Sequence, residues 1–377
     1  MSKVTATDQA SGLVGMPGSK LSIGAAERSS SATDGPSRGS RRVVTSGPDA
    51  SAIPQVPQKS TTRDERPILD IGLLNIMPEA AFAETDAQFT HLVMDSSPAI
   101  HLRIHRFWLP TRDLALTVPD ELAHSYRPLE GLFDTCMDAL VVSGTEPTTE
   151  RLVDEPSWEP LSQVIAWALD NTVSTVLSCL AAHVAALLLD GVDRYRLPTK
   201  CFGVVTNRTS ANNSLSRGLP GHFMVPHSHQ NTVDLDKLLS RGYNALLTTE
   251  SEWSAVTKTI GDCLLVLYQG HPEYGRLTLL REYRRDLRRF RRGTLAIPPS
   301  PPTGYFDESG GTIVDPLDRA TRGAAKPEYA QDFPFERLSA HCPDTWADPS
   351  RRLYQNWVQS VAERVYARTG ERAGASA

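Results

Sequence analysis

The sequence predicts an α/β fold, a parallel sheet buried under helices on both faces. Three observations predict it. Short apolar runs of strand length recur along the chain, stretches with helical apolar spacing separate them, and several runs end on small residues or turn formers.

The elements follow in order. Leu69-Asp70-Ile71-Gly72-Leu73-Leu74-Asn75-Ile76 reads as a buried strand that ends in a turn at Met77-Pro78. A helix is expected over 84–94, an extended run over 100–109, and a strand over 139–142 that ends at Ser143-Gly144. The stretch 158–169 is helical, with Leu161, Ile165 and Leu169 four apart on one face, and a strand over 173–177 ends at Ser178-Cys179. Beyond Leu189 the pattern is less regular, with runs at 202–205, 245–248 and 263–268, the last leading into Gly270-His271-Pro272-Glu273 and a strongly basic helix. In open sheets of this type ligands collect at the carboxyl ends of the strands. Gly144, Cys179 and His271 each follow such an end.

Residues 1–64 are rich in Ser, Gly and Pro, as in Ser29-Ser30-Ser31 and Gly35-Pro36-Ser37-Arg38. Such a segment buries too little apolar surface to offset ordering its backbone, at ~1–2 kcal/mol per residue, so a disordered extension is expected. It is mildly basic and hydroxyl-rich, but its scattered acidic residues weigh against a transit peptide. One folded domain is expected over 65–365 and a loose tail over 366–377.

Within the 377 residues, 40% hydrophobic and 22% charged content is ordinary for a globular protein with a substantial core. The net charge of -5 gives no global attraction to nucleic acid or anionic lipid, and neither is expected as a partner. No apolar run approaches the roughly 20 residues that cross a bilayer. The five cysteines are odd in number, widely spaced and without a C-x-x-C pair. That argues against a disulfide framework and against a zinc site, so no metal is expected, and reduced thiols fit a cytoplasmic protein.

Cys179 stands at a strand-to-helix junction, where helix N-terminal amides favour a thiolate and an oxyanion. Alone it reads first as a small buried hydrophobe. His271 and Glu273 end a different strand and supply what a thiol nucleophile needs, an imidazole to take its proton and a carboxylate to orient the imidazole. Alone, His271 is also a plain polar cap after an apolar strand.

A resemblance becomes specific in the ordered set Asn75-Ile76-Met77-Pro78, Glu84-Thr85 with Gln88-Phe89, Val142-Ser143-Gly144, Cys179, Lys200 with Gly203-Val204, Pro226-His227-Ser228, Gly270-His271-Pro272-Glu273-Tyr274 and Arg285-Asp286. In these motifs and their order, over about 67–365, the chain resembles the homoserine O-succinyltransferases. The resemblance implies a flavodoxin-like sheet of the class I glutamine amidotransferase-like type, its Cys-His-Glu set turned from amide hydrolysis to acyl transfer. By position, Cys179 would attack the thioester of an acyl-CoA, His271 would act as base and then acid, and Glu273 would orient His271. The backbone amide of Leu180 and one from the Gly144-Thr145 turn would hold the oxyanion. Arg285 would take the acceptor's carboxylate, with Lys200 and Ser228 lining the same pocket.

The resemblance further implies L-homoserine as acceptor in the first committed step toward methionine, no permanently bound cofactor, acyl-CoA as co-substrate and a homodimer. Outside the register, Lys200 reads as a solvated lysine, Ser228 as a loop-satisfying hydroxyl, and most arginines of 281–292 as a solvated helix face with surplus charge open to CoA phosphates.

The chain departs from the family pattern at four places. Glu79-Ala80 replaces a lysine pair in a segment two residues longer, Leu180 replaces an aromatic residue, and His229 replaces an arginine. The position tied to donor choice is Thr148, neither the glycine of succinyl-transferring members nor the glutamate of acetyl-transferring ones, so succinyl is the default and acetyl stays open. Serine or another hydroxylated amine as acceptor, glutamine amide hydrolysis, and a binding protein that kept the fold are the alternatives.

Overall fold

The structure, a computed structural model, describes residues 68–95, 100–110, 118–323 and 333–375, with side chains of the last helix to 368. The extension expected over 1–64 lies outside the described residues. In chain order the strands are β1 (Ile68–Asn75), β2 (His101–Trp108), β3 (Tyr126–Pro128), β4 (Ala139–Val142), β5 (Ser174–Ser178), β6 (Arg194–Thr209), β7 (His222–Val233), β8 (Asn244–Thr248), β9 (Trp253–Ile260) and β10 (Cys263–Tyr268). The helices are α1 (Glu79–Met94), α2 (Glu130–Phe133), α3 (Trp158–Asn171), α4 (Leu180–Asp190), α5 (Leu235–Ser240), α6 (Thr278–Arg291), α7 (Glu308–Gly323), α8 (Phe335–Ser339) and α9 (Ala347–Ala375).

The strands form a 10-stranded sheet in the order β3-β2-β1-β4-β5-β10-β9-β8-β6-β7. From β3 to β10 every pairing is parallel, and β2-β1-β4-β5-β10 has the doubly wound flavodoxin-like order. From β10 to β7 every pairing is antiparallel. The expected parallel sheet is thus present and carries an antiparallel extension on one side. The turn Gly261-Asp262 joins β9 to β10, with Gly261 at φ 56°, where a side chain would be strained.

Residues one apart on the central strands feed opposite cores. Leu140, Val142, Leu265 and Leu267 pack with Leu161, Ile165 and Val184 of α3 and α4 on one face. Val141, Val176 and Val266 pack on the other face with Phe89 and Val93 of α1 and with Leu353, Trp357 and Val361 of α9. A third cluster joins Phe202 and Val204 of β6 to Leu280 and Tyr283 of α6 and to Leu338 and Trp346, so it seats α6 over the β6–β7 hairpin.

Several boundaries differ from expectation. The helix expected over 84–94 begins at Glu79, because Pro78 just before it has no N–H that needs an acceptor and its fixed φ suits a helix entry. The run at 202–205 is the middle of the long strand β6. Of the stretch 366–377, where a loose tail is expected, the backbone to Ala375 belongs to α9. Among the described residues no helix is long and apolar enough to cross a membrane.

Trp357 is 1% exposed and its Nε1 donates to Ser174 Oγ at 2.9 Å, at the root of β5. Trp357→Ala is expected to cost ~3–5 kcal/mol. Urea unfolding should show this as a lower midpoint with an unchanged slope; an unchanged midpoint would mean that α9 does not close this core.

Candidate active site

Cys179 is the single residue between the end of β5 and the start of α4, and its backbone takes φ 49°, ψ −107°. No other described non-glycine residue has a positive φ. A strand that feeds directly into a helix through one residue leaves no other conformation for it, and such strain, of order 1–3 kcal/mol, persists only where neighbours over-determine it. Here Cys179 N–H donates to Tyr268 O at 2.7 Å, and Cys179 O accepts from His183 N at 3.1 Å as α4 begins. Gly144 closes the third side. A Cβ there would lie 2.9 Å from Cys179 Cβ and 3.1 Å from Ser178 O, so only glycine lets the two strand ends approach this closely. Leu180 is the first residue of α4, and its side chain is buried in the core, which leaves its backbone amide among those without an intrahelical acceptor.

His271 follows β10, whose parallel pairing with β5 sets Tyr268 beside Ser178 and so brings the two strand ends side by side. His271 N–H donates to Pro226 O at 2.8 Å, and its Nδ1 is 2.8 Å from Glu273 Oε1, with both side chains buried. Ser178 Oγ reaches the same carboxylate oxygen at 3.5 Å. Nε2 of His271 has no hydrogen-bond partner of ordinary geometry, yet the ring feels Cys179 both as a hydrogen-bonding partner and as a charge. Burial alone would depress the imidazole, but the adjoining Glu273 carboxylate and Cys179 outweigh it and push it up to about 10. The three expected residues therefore converge as thiol, imidazole and carboxylate.

The other histidine near the nucleophile is not a competing base. His183 Nε2 is 2.6 Å from Gln269 Oε1, and burial pushes this ring down to about 4.

Lys200, Ser228 and Arg285 are also brought together, around two carboxylates of α6. Ser228 Oγ donates to Glu282 Oε2 at 2.5 Å, and Lys200 Nζ lies 3.3 Å from Asp286 Oδ2 and 3.8 Å from Glu282 Oε2. Arg285 Nε donates to Asp286 Oδ1 at 2.9 Å while its side chain stays 45% exposed, which leaves donors for an incoming carboxylate. Burial would raise the Asp286 carboxyl, but Lys200 and Arg285 hold it below its ordinary value. Sequence reasoning missed Glu282. Its signal was an acidic residue inside the arginine-rich stretch, where charge pairing within the protein competes with solvation. Tyr274 links the two halves of the site: its ring stacks on His271 at 4.3 Å, and Glu282 acts on its hydroxyl.

The remaining expectations fall as follows. Thr145 is half-buried beside Gly144, whereas Thr148 is exposed and its backbone N–H and Oγ1 both bond the carboxylate of Glu155, at 3.0 and 2.8 Å to Oε2. Glu155 is paired at 2.9 Å with the buried Arg194. His229 is buried with Nε2 3.1 Å from Glu252 Oε2. Of the basic face of α6, Arg281 pairs with Glu84, Arg289 with Glu146, and Arg284 lies 4.2 Å over Phe335.

Fold and site together define an α/β protein with a flavodoxin-like parallel half-sheet and a thiol, an imidazole and a carboxylate at the carboxyl edge of that sheet. The family model described as homoserine O-succinyltransferase matches residues 49–367, and the chain belongs to that family. A homoserine O-succinyltransferase of Methylorubrum extorquens is 37% identical over 297 residues, covering 79% of this chain and 88% of that protein. One of Rhodopseudomonas palustris is 35% identical over 295 residues, covering 78% and 89%. Among solved structures, a glutamine amidotransferase from Thermotoga maritima superimposes with a TM-score of 0.43 at 14% identity, covering 78% of this chain and 98% of that one.

The His271 pair makes stability depend on pH. A folded value near 10, above an unfolded value of ~6.5, gives stabilisation that is complete below about pH 6.5 and lost as pH rises through about 10. Glu273→Gln removes the cause, so the stability gap between the native chain and this variant should narrow between those two pH values in urea unfolding. A gap that stays constant would contradict the ion pair.

Proposed function

We propose that this chain is a homoserine O-succinyltransferase that moves a succinyl group from succinyl-CoA, through a thioester on Cys179, to the hydroxyl of L-homoserine. The observation that carries the reading is that Cys179 and His271, itself 2.8 Å from Glu273, leave adjacent strand ends, with Tyr274 linking His271 to the cluster of Lys200, Ser228 and Arg285 around Glu282 and Asp286.

As Cys179 Sγ attacks the thioester carbonyl, the proton it has given up rests on His271 Nε2, held there by the Glu273 carboxylate. The backbone amide of Leu180, with one from the Gly144-Thr145 turn, holds the oxyanion; such a donor is worth ~3 kcal/mol. Collapse of the adduct expels CoA thiolate, which takes the proton from His271. The acceptor hydroxyl then loses its proton to His271 and attacks the acyl carbonyl, and Cys179 leaves and recovers that proton. Glu273 keeps the ring in one orientation through both halves.

For the acceptor, Arg285 offers a forked contact to the carboxylate, while Glu282 and Asp286 supply the negative charge an ammonium needs. That pairing of one exposed guanidinium with two partly buried carboxylates suits an α-amino acid. The enzyme is taken to work in the cytoplasm as the first committed step toward methionine, and acetyl-CoA is the competing donor.

Purified chain mixed with succinyl-CoA and L-homoserine should release free thiol at a rate that depends on both. Arg285→Lys should lower kcat/KM for homoserine by ~30-fold, about 2 kcal/mol for a lost charged hydrogen bond, with less effect on acylation. Release of thiol with L-serine but not homoserine would move the acceptor, ammonia from glutamine would move the reaction class, and no thiol release with any pairing would sink the proposal.

A further inference from the structure

We propose that Cys201, His227 and His229 form a binding site for a divalent transition-metal ion of the zinc type. Three local facts build it. In the β6–β7 hairpin Cys201 stands directly opposite His229, and strand alternation puts His227 on the same face. One nitrogen of each ring and the Cys201 sulfur all lie within 4.8 Å of one another. Both rings are buried, at 1% and 5% exposure, and Nδ1 of each has no hydrogen-bond partner.

Two buried ring nitrogens without partners, in rings clustered with one thiol, are what a protein interior avoids unless something fills the gap. The outer contacts fit a metal as well. His227 Nε2 lies 2.8 Å from Ser254 Oγ, and His229 Nε2 lies 3.1 Å from the Glu252 carboxylate. A metal-bound imidazole uses its other nitrogen in this way, with a carboxylate or hydroxyl fixing the tautomer. With both Nε2 atoms so engaged as donors, both Nδ1 atoms are left as lone-pair ligands.

The ligand chemistry selects the ion. Two imidazoles and a thiolate favour zinc, or cobalt as its spectroscopic stand-in, over calcium or magnesium, which take oxygen ligands. Bonds of about 2.0–2.3 Å set tetrahedral ligand atoms about 3.5 Å apart, so the three atoms, now within 4.8 Å of one another, would draw closer around a bound ion. Burial together with Glu252 pushes the Cys201 thiol up to about 11, so binding would release its proton. The fourth position would be open to water.

The site stands back to back with the acceptor pocket. Along the same two strands Lys200 and Ser228 point to the α6 side, while Cys201, His227 and His229 occupy the alternate positions. It also abuts the catalytic turn: a Cβ on Gly270 would meet His227 Nε2 at 3.0 Å, and Pro226 O holds His271 N–H at 2.8 Å. A bound ion would therefore fix the strand on which His271 rests.

The test is metal binding by the full chain. After dialysis against zinc and removal of free ion, the native chain should retain one zinc per chain, and titration with cobalt should give a thiolate-to-cobalt charge-transfer band. Cys201→Ser and His229→Gln should each abolish both signals, Glu252→Gln should weaken affinity by ~10- to 100-fold, and Cys179→Ser should change neither. Zinc should also protect Cys201 of the native chain from alkylation, which keeps the test open if a variant misfolds. No stoichiometric binding, binding that survives in folded Cys201→Ser and His229→Gln, or binding lost in Cys179→Ser would overturn the site.

Discussion

The parallel pairing of β5 with β10 is the constraint on which the rest of the molecule depends. It aligns Ser178 with Tyr268, so the residues just beyond, Cys179 and His271, leave the sheet edge side by side. The same pairing supplies the Tyr268 carbonyl that pins the strained Cys179 backbone. A slip of one residue would send the nucleophile to the wrong face, because strand side chains alternate. Both faces of this strand pair are buried under separate helical layers, and that burial is what makes the register unique.

The antiparallel half of the sheet has a different task. The β6–β7 hairpin carries polar groups at alternate positions, with Lys200 and Ser228 meeting Glu282 and Asp286 of α6 on one side and the Cys-His-His trio on the other. Helix α6 is held over it by an apolar cluster around Phe202, Leu280 and Tyr283. Charge in this cluster is balanced within the protein, with Lys200 and Arg285 set against Glu282 and Asp286.

The centre of the parallel half, β1, β4, β5 and β10, was legible in the sequence because its strands are buried and read as apolar runs of strand length, whereas the short edge strand β3, with two of its three residues exposed, was not. Cys179, His271 and Glu273 were legible as a set because each sits at such a strand end. The antiparallel half was legible only at the apolar runs 202–205 and 245–248, in β6 and β8. In β6 the burial pattern mixes exposed and buried positions over 16 residues, so only its apolar centre at 202–205 stood out. Glu282 was hidden among arginines, and its role appears only when α6 folds back on Ser228. The trio of Cys201, His227 and His229 has no short ligand spacing of the kind sought in sequences, since one ligand comes from the partner strand. An exposed Thr148 held by Glu155 is likewise a tertiary fact with no local signature.

The central claim is that Cys179 carries the acyl group between donor and acceptor. The most direct measurement is peptide mapping of the chain by mass spectrometry after rapid mixing with succinyl-CoA in the absence of acceptor. A single succinyl group on the peptide containing Cys179, discharged when L-homoserine is added, is the predicted result. Full-rate acylation of homoserine with no such adduct, or an adduct on another residue that homoserine discharges, would contradict it.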